Sequence, residues 1–532
     1  MSILKDEIED HLEKSLLTKD NQTGFTKGGK KEDNLFMLQY LVGKAYKNKK
    51  PLILIAIDYS KAYDSLDRKK LIEALMEYKI HPHIIDIIAK LYQGDHTKIK
   101  IGDSEEKIDI SSGIKQGCTL STTLFKIVTY LIIQELENKG RGYKVDDIIL
   151  QSLYFADDSI LAAESIEDAR HNLNILIEVS KKFGLNINRD KCNVLIYNNH
   201  EEIKEIDNIK VVENIKYLGI TIDNKKDIFK TQKKYLIDSA QKYANMTYSI
   251  IKRSVNKMLI GKTFWKNVVL PTILQGVGLM TFTSKEIKKL QVIENGVYRK
   301  ILGGNGSTPN SVLRGEIGCS LMKSRFIESK LMVIKGIQMG KNELTKQILK
   351  NVREDNSNLW NRQVGKFLRE MELEYREISI MSKKEIKDKV KKCDTDEWHK
   401  NLGEKSSLDI YRAMKSGVKE EKCYDNRFAS VLLFKARSNT LALNDRKRHK
   451  KEETECKLCK KETEDLIHFL IKCEKLDCKR EKEVMEKYKD EDKEQMAGNI
   501  LFGTELIETT KNMIESMWKY RNDIEKQIAR QA

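Results

Sequence analysis

The chain has 532 residues, enough for about two to four domains, and carries 97 Lys and Arg against 80 Asp and Glu, a formal charge of +17. This excess favours a polyanionic partner, nucleic acid before an anionic membrane, although Lys-rich genomic base composition gives the same bias. No uncharged apolar run approaches the roughly 18 residues of a membrane span, and the charged start MSILKDEIEDHLEKS lacks an apolar signal core. An intracellular protein is expected, its 9 Cys reduced and any clustered ones metal ligands before disulfides.

Residues 1–50 read as helix, loop, helix, the loop being NQTGFTKGGKKED. The apolar run PLILIAID predicts a buried strand. A helix should follow from a cap near Asp64 or Ser65 through LDRKKLIEALMEY, with Leu66, Ile72, Leu75 and Met76 on its core face. IHPHIIDIIAKLYQG reads as a helix ending at Gly94, TKIKIGDSEEKIDI as a hairpin, and TLSTTLFKIVTYLIIQELENKG as a long helix ending near Gly140. LYFADDSILAA predicts a hairpin with Asp157-Asp158 at its tip. An amphipathic helix from Ser165 to Gly184 and the strands NVLIY and IKYLGITID complete this part. Strands alternating with long helices suggest an α+β sheet with helices on one face. From about residue 226 the pattern is helical. The block RKRHKK at 446–451 suits a nuclear-import signal or a basic turn over a nucleic-acid groove.

Asp58 ends an apolar strand, and Asp157 and Asp158 occupy a hairpin tip about a hundred residues on. A strand end and a hairpin tip can meet at one sheet edge. Three carboxylates there would repel one another without a cation, and Mg²⁺ takes such carboxylates together with phosphate oxygens. For any one of them alone, capping a turn or helix is the commoner role. CKLCKKETEDLIHFLIKC places Cys456, Cys459, His468 and Cys473 at C-x2-C-x8-H-x4-C, which suits tetrahedral Zn²⁺. Cys478 is a rival fourth ligand. Cys118, Cys192, Cys319, Cys393 and Cys423 lack partners at ligand spacing and are expected in the core.

Five ordered stretches, AIDYSKAYDSLDR, SSGIKQGCTLSTTLF, YFADDSIL, GLNINRDKCNVLIY and ENIKYLGITID, resemble the palm motifs of reverse transcriptases. The SKAYD, GIKQGCTLS and FADD forms resemble the non-LTR (LINE-type) retrotransposon branch. QTGFTKGGKKEDNLFML resembles the finger segment that precedes them there, and SVLRGEIGCSLMKSRFIESKLMVIKGI the region joining thumb to knuckle. The Cys/His pattern resembles that family's C-terminal zinc knuckle, thought to bind nucleic acid.

This resemblance implies a right-hand polymerase: partial fingers at 1–50, palm at 51–225, helical thumb and linker at 226–350, a helical connecting region at 351–451, and the CCHC knuckle with C-terminal helices at 452–532. It implies RNA-directed DNA synthesis from dNTPs on an RNA template and a DNA primer or target, with two Mg²⁺ (Mn²⁺ as an alternative), structural Zn²⁺ and no membrane partner. Asp58 and Asp157 match the main metal ligands and Asp158 the third carboxylate. Tyr59 would offer its backbone carbonyl, Tyr63 matches the steric gate against a ribose 2′-hydroxyl, and Gln116 and Gly117 match the loop beside the incoming nucleotide. Lys191 matches a lysine proposed to protonate pyrophosphate, and Tyr217, Leu218 and Gly219 match the primer grip. A nuclear location is implied as well.

The departures are an upstream finger motif that is not recognisable, for which Lys27, Lys30 and Lys31 are partial stand-ins, and Ser121-Thr122 where relatives carry Ser-Pro. N-terminally truncated fingers are therefore expected. No nuclease motif is recognisable, so an endonuclease from another segment or protein is expected to cut the target. A truncated remnant that binds RNA or DNA without polymerising is the alternative function. An RNA-templated RNA polymerase or a group II intron maturase shares the palm, but the knuckle and FADD form argue against it.

Overall fold

The computed structural model describes the chain apart from residues 16, 200–201, 255, 445–453 and 532. The basic block at 446–451 lies outside the described residues. Contacts divide the chain into two units. Unit 1 takes residues 1–234, 278–281 and 330–380, and unit 2 takes 235–277, 282–329 and 381–532.

Unit 1 is built on a four-stranded antiparallel sheet. The strand Leu52–Ile57 lies between Asp158–Ala163 and Asn193–Tyr197, and Ser152–Phe155 extends the sheet beyond Asp158–Ala163. Ile53, Ile55 and Ile57 join one core with residues of the helices Thr119–Lys139 and Ile166–Lys182. Leu52 and Leu54, on the opposite face, are equally buried because successive strand residues alternate sides. The sheet is thus covered on both faces, more fully than the one-sided packing expected, as an unbroken apolar run requires. The helix Lys31–Asn48 lies against the strands Ser152–Phe155 and Asn193–Tyr197.

Local chemistry sets the helix ends. Ser165 Oγ accepts from the Asp168 N–H at 3.1 Å and caps Ile166–Lys182. Asp67, rather than Asp64 or Ser65, caps Arg68–Glu77, accepting from the Lys69 and Lys70 N–H groups at 2.8 and 3.1 Å. Residues Ala62–Ser65 form a separate helical turn. Leu71, Ala74 and Leu75 are buried, whereas Met76 is 60% exposed. It follows Leu75 by one residue and is turned about 100° round the helix. The hairpin His96–Ile101 with Ser104–Asp109 is exposed throughout. Asn214–Tyr217 pairs with Ile220–Asp223 across Leu218 and Gly219, both at positive φ (50° and 78°), as a two-residue hairpin turn demands.

The helices at 343–370 belong to unit 1. Asn351 Nδ2 donates to the Tyr40 hydroxyl at 3.1 Å, Lys47 pairs with Asp355 at 2.9 Å, and Trp360 packs edge-on against Phe36. Among the described residues, no helix is long and apolar enough to cross a membrane.

Unit 2 is helical and organised by buried charge. Arg437 and Glu316 meet at 3.0 Å, both within 1% of complete burial. The Tyr411 hydroxyl donates to Glu316 at 2.9 Å, and so does that of Tyr424. Arg314 pairs with Asp394 at 2.8 Å. Glu294 takes bonds from Arg325, Trp265 and Tyr298 at 2.7, 3.0 and 2.8 Å. Arg314 and Glu316 both come from SVLRGEIG, so that stretch is the keystone of this unit's packing. Arg437→Met would leave Glu316 charged and unpaired, and is expected to cost about 3–5 kcal/mol of stability, measured as a lower urea midpoint.

Candidate functional site

Phe155 pairs with Asp158, so Ala156 and Asp157, rather than Asp157 and Asp158, form the two-residue hairpin turn, and Asp158 opens the following strand. Ala156 sits at φ +61°, where a side chain is disfavoured. Its surroundings hold it there. Gln22 Oε1 accepts from the Ala156 and Gly24 N–H groups at 3.1 and 3.0 Å, and Gln22 Nε2 donates to the Ala156 carbonyl at 3.4 Å and to Thr129 Oγ1 at 3.0 Å. The Thr23 N–H donates to the Tyr154 carbonyl at 3.0 Å, and the Tyr154 N–H donates to the Asn21 carbonyl at 2.7 Å. Gly24 permits this approach, since a Cβ there would lie 2.2 Å from the Ala156 nitrogen. Asn34 Nδ2 donates to the Tyr154 carbonyl at 3.0 Å and to the Tyr217 hydroxyl at 2.9 Å, and Thr23 Oγ1 donates to Asn34 Oδ1 at 2.9 Å. Gln22, Thr23 and Asn34 are each no more than 1% exposed. They carry the hairpin, and sequence reasoning treated them only as part of a loop and a helix start.

Ile57 pairs with Ser159, which brings Asp58 next in register to Asp158. The Asp58 carbonyl accepts from the Asn188 N–H at 2.8 Å, and the Asp58 N–H donates to Cys192 Sγ at 3.3 Å. Cys192 is buried as expected and also fixes the backbone of Asp58. These bonds strap the NRDKC turn beside Asp58 and leave Lys191 Nζ 4.0 Å from its carboxylate. The Asp158 residue is exposed overall, yet its carboxyl is held above the usual range, first by burial against the protein and then by the charges of Asp157 and Asp58.

Tyr63 stacks on Phe125, ring centroids 4.9 Å apart, with its hydroxyl buried and without a partner. Burial, and secondly Asp157, push that phenol up to about 12. Tyr217 is likewise raised, first by burial and then by Asp158, so both tyrosines face the acidic turn. The Tyr59 ring points inward, its hydroxyl 3.3 Å from Ser180 Oγ. Its bridge to Ile187 uses the Asp58 carbonyl and the Ser60 N–H, which leaves the Tyr59 carbonyl outside those bonds. Gln116 Nε2 donates to Asp64 Oδ1 at 3.0 Å, and Gly117 stands in open space at φ +80°. Arg68 holds their loop, donating to the Gly113 and Ile110 carbonyls at 2.8 Å each and pairing with Asp95 at 2.9 Å. Nothing in the sequence separated Arg68 from other surface arginines. Lys30 precedes the helix Lys31–Asn48, its backbone N–H donating to Asp33 Oδ2 at 2.9 Å, and Lys27 is exposed. Thr122 Oγ1 donates to the Thr119 carbonyl at 2.8 Å, so the first turn of the helix Thr119–Lys139 forms without proline.

In unit 2, Cys456, Cys459, His468 and Cys473 bring their ligand atoms within 4.8 Å of one another, the metal-type cluster among the described residues. Cys456 Sγ lies 3.8 Å from Cys473 Sγ, and Cys459 Sγ 3.4 Å from His468 Nε2. His468 Nδ1 faces Glu462 at 3.6 Å, so Nε2 is the ring atom turned to the cluster, with a carboxylate behind it. Three thiols and one imidazole at these separations fit a tetrahedral Zn²⁺. Cys478 is exposed and outside the set, so Cys473 is the fourth member of the cluster. Cys319 is buried, and Cys118, Cys393 and Cys423 are partly so.

The Asp58, Asp157 and Asp158 carboxylates offer hard oxygen donors at a point of concentrated negative charge, which fits Mg²⁺.

Residues 2–222 match the family described as "Reverse transcriptase (RNA-dependent DNA polymerase)". This segment is a reverse transcriptase domain. It is similar to the Pol polyprotein of the type-1 retrotransposable element R2 of Bradysia coprophila, 30% identical over 158 residues, 30% of this chain and 18% of that protein. It is also similar to that of the type-2 element R2DM of Drosophila melanogaster, 29% identical over 219 residues, 37% of this chain and 20% of that protein. These relatives bear out the resemblance to the non-LTR branch, and the chain spans about a fifth of their length. Among solved structures, apo telomerase from Candida tropicalis aligns with 65% of this chain and 60% of its own, at 15% identity and a TM-score of 0.34.

Gln22→Ala removes the amide that satisfies both backbone groups of Ala156. It is expected to cost about 1–3 kcal/mol and to speed hydrogen exchange at residues 155–157, read by mass spectrometry against the rest of the sheet. The zinc assignment predicts one metal equivalent per chain, retained in Cys478→Ser, lost in Cys473→Ser, and removable by a chelator with a lower melting temperature.

Proposed function

We propose that this chain is the polymerase part of a non-LTR retrotransposon enzyme that copies RNA into DNA. The observation that carries this is the register that sets Asp58 beside Asp158, next to the Ala156-Asp157 turn, with Lys191 4.0 Å from the Asp58 carboxylate. Asp58 and Asp157 would hold two Mg²⁺, with Asp158 as the third carboxylate. When bound, the ions supply acidification of the primer 3′-hydroxyl and neutralisation of the leaving pyrophosphate.

The primer 3′-oxygen forms a bond to the α-phosphorus of a dNTP as the bond to pyrophosphate breaks. Lys191 gives the leaving group its proton. The Tyr63 ring, stacked on Phe125, would occupy the space a ribose 2′-hydroxyl needs and so select deoxynucleotides. Gln116 and Gly117 would lie against the incoming nucleotide, the Tyr59 carbonyl would help hold the second ion, and Tyr217, Leu218 and Gly219 would hold the primer end. The partners are an RNA template and a DNA primer or target, met in the nucleus. The Cys456, Cys459, His468 and Cys473 knuckle adds a nucleic-acid contact in unit 2, and an endonuclease from another segment or protein opens the target.

Primer extension on an RNA template with Mg²⁺ tests this. The chain is expected to extend the primer with dNTPs, and Asp157→Asn to slow synthesis at least about a hundredfold while still binding the template–primer. A correctly folded wild-type chain that binds but never extends would sink the proposal in favour of a binding remnant.

A further inference from the structure

Outside the carboxylate site, unit 1 has a second feature that the polymerase reading does not use. A solvent-open recess of about 610 Å³ is lined by Arg353, Arg362, Lys366, Arg369 and Tyr375 among others, with no Asp or Glu in its wall. None of these four cations forms an ion pair among the described residues. Elsewhere in the same unit, Lys44 pairs with Asp146 at 2.7 Å and Lys47 with Asp355 at 2.9 Å. Like charges at i and i+4, as in Arg362 and Lys366, weaken a helix. Four exposed cations without acidic partners line one hollow, and an anion there would relieve their mutual repulsion.

The recess is also built rather than merely basic. The Arg353 guanidinium lies 4.7 Å over the Tyr375 ring, the Tyr375 hydroxyl donates to Asn361 Oδ1 at 2.7 Å, and Asn361 Nδ2 donates to the Arg353 carbonyl at 3.2 Å. Arg362, Lys366 and Arg369 follow one another along one face of the helix Leu359–Glu370. At about 1.5 Å of rise per residue they span about 10 Å. Over that length a B-form strand presents about three phosphates.

We propose that this recess binds the phosphodiester backbone of a nucleic-acid strand, as an anchoring site separate from the place of synthesis. It rests on the polymerase reading only for the class of partner. RNA and DNA share the chemistry, and the charges read backbone rather than sequence.

The test is binding of the full chain to single-stranded RNA and, separately, to single-stranded DNA, by fluorescence anisotropy over a roughly fourfold range of salt. Each lost phosphate contact should flatten the slope of log K against log salt by about 0.7. The triple variant Arg362→Gln, Lys366→Gln, Arg369→Gln should lose about two from the slope on at least one of the two nucleic acids. Arg362→Lys with Arg369→Lys should keep the wild-type slope, and Lys366→Glu should weaken binding further than Lys366→Gln. An unchanged slope on both RNA and DNA in a triple variant that melts like wild type overturns the proposal. Asp157→Asn keeps the full slope, so a failure of synthesis and a failure of this anchor are read separately.

Discussion

Mutual repulsion among Asp58, Asp157 and Asp158 is the constraint around which unit 1 is arranged. Left free, a two-residue turn that carries Asp157 next to the strand residue Asp158 would swing away from a third carboxylate. It is held because the turn is fastened from behind by backbone. The NQTG stretch runs beside Tyr154, and the Gln22 amide satisfies both polar groups of Ala156. The left-handed alanine and the raised Asp158 carboxyl are local penalties, offset by burial of the sheet on both faces. A site of this kind concentrates negative charge where a cation is wanted.

The same fastening reaches outward. Asn34 bonds both the Tyr154 carbonyl and the Tyr217 hydroxyl, so the Asn214–Asp223 hairpin shares an anchor with the acidic turn. Arg68 gathers the loop that carries Gln116, and the Asn188 and Cys192 bonds fix the turn that carries Lys191. Segments far apart in the chain therefore reach one site through polar side chains that never touch substrate. Buried polar contacts of this type are costly to leave unpaired, which makes the arrangement specific rather than merely compact.

Unit 2 uses a different means. Its helices are held in register by the buried pairs Arg437–Glu316, Arg314–Asp394 and Arg325–Glu294. Arg521 grips Glu464 at 2.6 Å, tying the knuckle to the C-terminal helix Ile507–Gln531. Cys456 and Cys473 sit in one apolar cluster with Phe469, Met513 and Met517. The Cys/His cluster is thus part of the core.

The strands, the long helices, the acidic hairpin and the Cys/His spacing were legible along the chain, because each is set by period, turn chemistry or ligand spacing within a few residues. The amino-acid order alone therefore established the strands and the helices packed on them, the paired aspartates of the hairpin, and a Cys/His set at metal-ligand spacing. Folding in three dimensions made Gln22, Asn34 and Arg68 into supports, moved a helix cap from Asp64 or Ser65 to Asp67, excluded Cys478 and turned Met76 to solvent. It also joined residues 330–380 to the sheet unit and gathered Arg353, Arg362, Lys366 and Arg369 around one hollow. Each of these depends on contacts between segments distant in sequence, whose energies no local pattern encodes.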